Sequence, residues 1–166
     1  MMSAKRIKKP LAALLLLACL LLTGCQESIS SLVGKPLSEV SAMFDQDAKE
    51  DRGGLQIYRS DSVQLVFSSE DTVTGYAYYN TEGEFIRSAG VIPVDRQTLL
   101  SFDSMSELEE ALCPPQCTLG EEALPGYVTL DGLLVAIKTE GDRITGHTLW
   151  RLSDGAEVTA EELDKA

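Results

Sequence analysis

The chain has 166 residues, with 14 basic and 26 acidic side chains and a formal net charge of −12. That length suits one compact domain or two small units sharing a core. The acidity repels nucleic acid and anionic lipid headgroups, which excludes nucleic-acid binding and a peripheral membrane-reading role as expectations. A solvated, aggregation-resistant exterior accounts for the charge without any acidic ligand site.

At the N-terminus, Lys5, Arg6, Lys8 and Lys9 precede an apolar run from Leu11 to Leu22, the pattern of an export signal. The run is shorter than the roughly 20 residues that span a bilayer. It closes on Leu22-Thr23-Gly24-Cys25. A leucine three positions before a cysteine, with small residues between, resembles the lipobox of bacterial lipoproteins. The resemblance implies that residues 1–24 are a cleaved signal peptide and that Cys25 becomes the lipidated N-terminus, carrying a diacylglyceryl group with palmitate-type acyl chains. At ~0.8 kcal/mol per buried methylene, two or more chains give stable anchoring where one is marginal. It places the protein on the extracytoplasmic side of a membrane: the outer face of the cell membrane in a single-membrane bacterium, or the outer membrane in a two-membrane one. Gln26 stands where an aspartate commonly signals inner-membrane retention. Cleavage leaves 10 basic residues against 26 acidic ones, a net charge of about −16.

Residues 25–31 read as a short polar tether. Pro36 suits a first helical turn, and Leu37, Val40 and Phe44 share one face of a helix of about two turns. The charged stretch Asp45 to Gly54 reads as a solvated loop without the glycine of a calcium loop. Strands are predicted at 55–59, 63–67 and 73–79, separated by turn residues. After a connecting segment at 81–103, Ser104-Met105-Ser106-Glu107 forms a capping box, with Leu108, Ala111 and Leu112 on the apolar face of its helix. Strands are predicted again at 126–130, 133–138 and 143–151, before a C-terminal turn and short helix at 153–166.

The second half repeats the first. Ser38-Glu39-Val40 and Phe44 match Ser106-Glu107-Leu108 and Leu112 at an offset of 68; Asp61, Val63, Leu65 and Phe67 match Asp131, Leu133, Val135 and Ile137 at 70; Val73-Thr74-Gly75 and Tyr79 match Ile144-Thr145-Gly146 and Trp150 at 71. The expected fold class is therefore α+β: two tandem helix-plus-three-stranded antiparallel meanders at 32–80 and 104–152. Gly34 before the helix and Glu39-Val40 within it, followed by a meander, resemble the small lipoprotein unit of the SmpA/OmlA (BamE-like) group, and two such units are similar to the architecture of the β-lactamase inhibitory protein (BLIP). The resemblance implies helices on one face of the sheet and a free opposite face or edge that holds another protein. This chain is duplicated, unlike the first group, and lipidated, unlike the second, so neither specific role carries over.

Alternation in the last strand of each half suggests the binding side. The small residues Gly75, Ala77 and Gly146 suit close approach of a helix, which leaves Tyr76, Tyr78, His147 and Leu149 on the free face as candidate partner contacts. Alternation alone also allows the reverse assignment, and ordinary cross-strand pairing.

Cys113 and Cys117 flank Pro114-Pro115-Gln116, and outside the cytoplasm a disulfide is the expected state, worth roughly 2 kcal/mol for so small a ring. A similar disulfide is implied by the BLIP resemblance. A redox pair would favour Cys-x-x-Cys, and a copper site would need a further ligand such as His147, the only histidine. The nucleophile-elbow, Ser-x-x-Lys, zinc-protease and phosphate-loop motifs are all missing. The sequence thus predicts a non-catalytic protein-binding or envelope-assembly module, with a protein partner in the cell envelope, no cofactor beyond the lipid on Cys25 and no metal. The alternatives are an inhibitor or sensor of an extracytoplasmic enzyme, of β-lactamase or cell-wall hydrolase type, and a small-ligand or metal carrier.

Overall fold

The computed structural model describes residues 32–42, 44, 49–59, 61–69 and 71–163. The chain divides into Met1–Leu32, of which Leu32 alone is described, and Val33–Ala166. The signal peptide, Cys25 and the tether fall outside the described residues, as do residues 45–48 of the acidic loop after Phe44.

The elements of Val33–Ala166 are α1 (Leu37–Ser41), β1 (Lys49–Asp51), β2 (Leu55–Arg59), β3 (Ser62–Ser69), β4 (Thr72–Asn80), β5 (Phe85–Ala89), α2 (Arg96–Leu99), α3 (Met105–Ala111), β6 (Cys117–Leu119), β7 (Leu124–Val128), β8 (Leu133–Glu140), β9 (Arg143–Arg151) and α4 (Ala160–Leu163). The strands form two antiparallel sheets, ordered β1-β2-β3-β4-β5 and β6-β7-β8-β9. The expected α+β class with two helix-plus-three-stranded repeats is thereby corrected. The described residues are predominantly strand, the sheets have five and four strands, and the helices are short. α1 stops at Ser41, about a turn early, and Phe44 stacks on Tyr58 at 4.6 Å instead of continuing the helix. Three strands are additional. β1 and β6 are three-residue edge strands, and β5 lies in the predicted connector; backbone ladders hold them where side-chain alternation is weak or too short to register.

Strand alternation decides how the sheets stack. Leu55, Ile57, Val63, Leu65, Phe67, Ala77 and Tyr79 point from the first sheet into one buried cluster, where they meet Leu119, Val128, Leu134 and Ala136 of the second. The opposite face of the second sheet presents Tyr127, Val135, Ile137 and Leu149 to Leu99, Met105 and Leu108 of α2 and α3. On the outer face of the first sheet, the Tyr58 hydroxyl lies 2.7 Å from Ser41 Oγ at the end of α1. The order of layers is helix, sheet, sheet, helix. A hydrogen bond crosses between the sheets: Tyr79 Oη donates to the Thr129 carbonyl at 2.6 Å, with both residues fully buried.

The two halves do share local detail. The β3–β4 hairpin breaks register between Phe67 and Ser68, and the β8–β9 hairpin does so between Lys138 and Thr139, 71 positions on. In each, the hairpin turn binds the first amide of the preceding helix: Leu37 N–H to Asp71 O at 2.6 Å, and Met105 N–H to Asp142 O at 2.8 Å. This satisfies a free amide at the helix start. Pro36 offers no capping side chain to α1, whereas Ser104 Oγ accepts the Glu107 amide of α3 at 3.2 Å, as the capping box predicts. Asp142 adds its carboxylate, accepting from Ser106 N–H at 2.9 Å and Ser106 Oγ at 2.8 Å, and these bonds hold its pKa below the usual aspartate value.

Replacing Tyr79 with Phe removes the bond between sheets and keeps the ring. A loss of about 1 kcal/mol is expected in urea unfolding with unchanged slope, because Gly132 N–H still serves the Thr129 carbonyl at 3.2 Å. Asp142 supplies a pH test. Its folded pKa lies below that of the unfolded chain, so its stabilisation is complete at neutral pH and fades as the pH falls through and below the ordinary carboxylate range. Asp142→Asn should lower stability at pH 7 and flatten the decline between pH 5 and 3 in parallel melts.

Candidate functional site

A cavity opens where the edges of the two sheets meet. It holds about 460 Å³ and is lined by Asp51, Arg52 and Gly53 from the end of β1, by Leu119, Gly120, Glu121 and Leu124 around the β6–β7 turn, and by Ala136 and Trp150. Both rims depend on glycine. Gly53 adopts φ +73°, and a Cβ there would approach the Gly120 amide and the Thr118 carbonyl to 3.0 Å. Lacking one, the loop lies on β6, and Gly54 N–H donates to Thr118 O at 2.9 Å. The walls are aliphatic and aromatic because Leu119, Leu124, Ala136 and Trp150 all belong to, or pack against, the cluster between the sheets.

One cation is fixed against this apolar wall. The Arg52 guanidinium sits 4.6 Å from the centre of the Trp150 ring. Its Nε donates to Glu50, and its Nη2 donates to the Gly155 carbonyl at 3.1 Å. Glu50 also receives Arg59 Nη1 at 2.6 Å, while Arg59 Nε donates to the Leu152 carbonyl at 2.8 Å. The turn after β9 therefore closes over a pair of arginines sharing one carboxylate. Gly155, at φ +74°, permits the closure, since a Cβ there would come within 2.8 Å of Glu50 Oε2 and 2.9 Å of Arg59 Nη2. Arg59 Nη2 is itself buried and has no hydrogen-bond acceptor. Apolar area beside one oriented guanidinium is a recognition surface for an apolar group.

The four residues chosen from the strand pattern do not share a face. Tyr76 and Tyr78 lie on the outer side of the first sheet, and His147 and Leu149 on the outer side of the second, with both sheets between them. Tyr76 is 4% exposed and Leu149 6%, the latter within the helix-covered cluster. Tyr78 is half-buried between its cross-strand partners Gln64 and Arg87, with the Arg87 guanidinium 5.9 Å from its ring. His147 is half-buried opposite Ile137; its Nε2 has no partner, and burial lowers its pKa. Ala77, Tyr79 and Trp150, on the side expected to meet helices, pack in the cluster between the sheets instead, and the side expected to be free carries Leu149 into the helix-covered cluster, so both sides of the second sheet are covered and neither assignment describes the stacking.

Cys113 and Cys117 are free thiols in the structure. Cys113 packs against the helix-side cluster and Cys117 against the cluster between the sheets. Burial pushes the Cys117 thiol up to about 12. Among the described residues, no group of three histidine, cysteine or acidic side chains is placed to hold a metal, and no helix is long and apolar enough to cross a membrane.

Sequence reasoning missed Arg52 and Trp150. Arg52 lies in a stretch dominated by charge, and Trp150 carries only the alternation of its strand; the Gly53-Gly54 pair is the visible sign of a close backbone approach. No family model matches the chain, and neither a curated protein nor a solved structure is significantly similar to it.

Cys117 supplies a chemical check. At pH 8 the native reduced protein should alkylate at Cys117 at least ~100-fold more slowly than the unfolded chain, because so little thiolate forms at its raised pKa. Peptide mass mapping with timed iodoacetamide reads this directly. Rapid native labelling would show that packing against the cluster between the sheets does not shield the Cys117 thiol.

Proposed function

We propose that this protein is an exported module, anchored through lipid on Cys25, that binds a protein partner of the cell envelope non-catalytically. The lipobox-like Leu22-Thr23-Gly24-Cys25 supports the anchor, and the pocket between the sheets supports the binding role. The observation that carries the reading is the joining of an apolar cavity to the oriented Arg52–Trp150 pair at an exposed sheet edge. A partner's apolar side chain enters against Leu119, Leu124 and Trp150, and the acidic exterior keeps unrelated acidic surfaces away.

The experiment is photo-crosslinking in the native membrane from position 121, on the pocket rim, with position 145 on β9 as the control. One dominant adduct from 121, lost in Leu124→Asn and missing from 145, is the expected result. Equal adducts from both positions would remove the pocket from the argument. In the same cells Cys25→Ser should move the protein into the soluble fraction and abolish palmitate labelling; retention with label would overturn the anchor.

A further inference from the structure

The charge balance beside the pocket points to the group it recognises. Two guanidinium groups, Arg52 and Arg59, share the single carboxylate of Glu50, and the other acceptors they use are neutral carbonyls of Leu152 and Gly155. The cluster therefore carries one excess positive charge, although acidic residues outnumber basic ones 26 to 14 in the whole chain. Both arginine side chains are only 21% exposed, so solvent screens this excess incompletely. Of the acids lining the cavity, Asp51 is paired with Lys49 at 3.5 Å, and Glu121 stands on the exposed β6–β7 turn. Arg59 Nη2 is a buried donor lacking an acceptor, although Arg59 itself does not line the cavity.

Arg52 is the cation that lines the cavity. Arg52 is held by Glu50, by the Gly155 carbonyl and by the Trp150 ring, which leaves its Nη1 edge without a partner among the described residues while the side chain lines the apolar cavity. An anion bound there must carry an apolar body to fill the space beside Leu119, Leu124 and Trp150. β1 is the outermost strand of its sheet and ends at Asp51, directly in the pocket lining. An extended chain paired parallel to β1 along that outer edge delivers its C-terminus toward Arg52.

We infer that the pocket captures the C-terminus of a partner chain, seating an apolar last side chain in the cavity and its α-carboxylate on Arg52. This rests on the pocket reading above and goes beyond it by naming the recognised group. The carboxylate pairs two charged partners and relieves the excess positive charge, whereas an amide carbonyl accepts only as a neutral group and leaves that charge in place.

Trp150 is the sole tryptophan, so its emission reports occupancy without a label. The probes are acetylated hexapeptides lacking tryptophan and ending in leucine, one a free acid and one an amide, with hexanoate as the apolar carboxylate that has no peptide backbone. They are titrated into the full chain in neutral detergent. The free acid should bind at least tenfold more tightly than the amide, and hexanoate more weakly than the acid peptide. Arg52→Gln should abolish the preference for acid over amide; Leu124→Asn should weaken both peptides and preserve it. If Arg52→Gln fails to fold by near-ultraviolet circular dichroism, the comparison of acid and amide on the natural chain decides alone. Equal affinity for acid and amide would overturn the carboxylate assignment and leave the pocket standing. Binding of hexanoate but of neither peptide would overturn the peptide source. Silence from all three probes would overturn this inference, while a crosslink from position 121 would still support the pocket.

Discussion

The structure depends on the contact between the inner faces of its two sheets. Leu55, Ile57, Leu65 and Ala77 on one side and Val128, Leu134 and Ala136 on the other are withdrawn from water together. Burial of a large aliphatic side chain is worth about 1.5–3 kcal/mol, so a contact of this extent dominates the other terms. It also requires each sheet to be covered twice, once by the other sheet and once by its own helices. Short helices suffice for this, since they need only cap an outer face: α2 and α3 do so with Leu99, Met105 and Leu108. The Tyr79–Thr129 bond adds direction to a contact that apolar packing alone would leave free to slide.

At one edge this stacking is incomplete, and the pocket is the result. The second sheet has four strands against five, and β1 and β6 are three residues long. Neither can extend the cluster far enough to fill the gap before Trp150. Arg52 occupies part of the opening with its stem and guanidinium. The turn at Leu152–Gly155 closes over Arg59, linking a segment late in the chain to β1 and β2. The pocket and the closure of the C-terminal turn therefore share one side chain, and anything that reorients Arg52 alters both.

How much of this was legible follows from how local each signal is. The capping box at Ser104 was readable because hydroxyl and amide lie three residues apart. The β3–β4 and β8–β9 hairpins were readable from alternation and turn residues. The stacking was not taken from the sequence, although a sign of it was present. Val63, Leu65, Val66 and Phe67, and the unbroken run Leu133–Ile137, are buried on both parities. Continuous apolar runs of this kind belong to strands covered on both sides, which argues against a free sheet face. The small residues Ala77 and Gly75 were read as room for a helix, but close approach of a second sheet or of the Gly90 backbone makes the same demand. Arg52 and Trp150 lie 98 positions apart, and only the stacking brings them together.

A pocket of this size seats one or two side chains, and one charge-assisted contact beside it gives modest affinity for a free peptide. Membrane attachment changes the requirement. If Cys25 holds the domain by lipid and the partner occupies the same surface, encounter becomes effectively intramolecular, and a weak contact is amplified without added area. The acidic exterior then acts in the same direction, because it suppresses adhesion to other acidic proteins and to anionic headgroups while the local excess of arginine remains available at the sheet edge. Selectivity at low intrinsic affinity is what a tethered module can use, and a cationic pair beside the pocket of an acidic chain fits that division of labour.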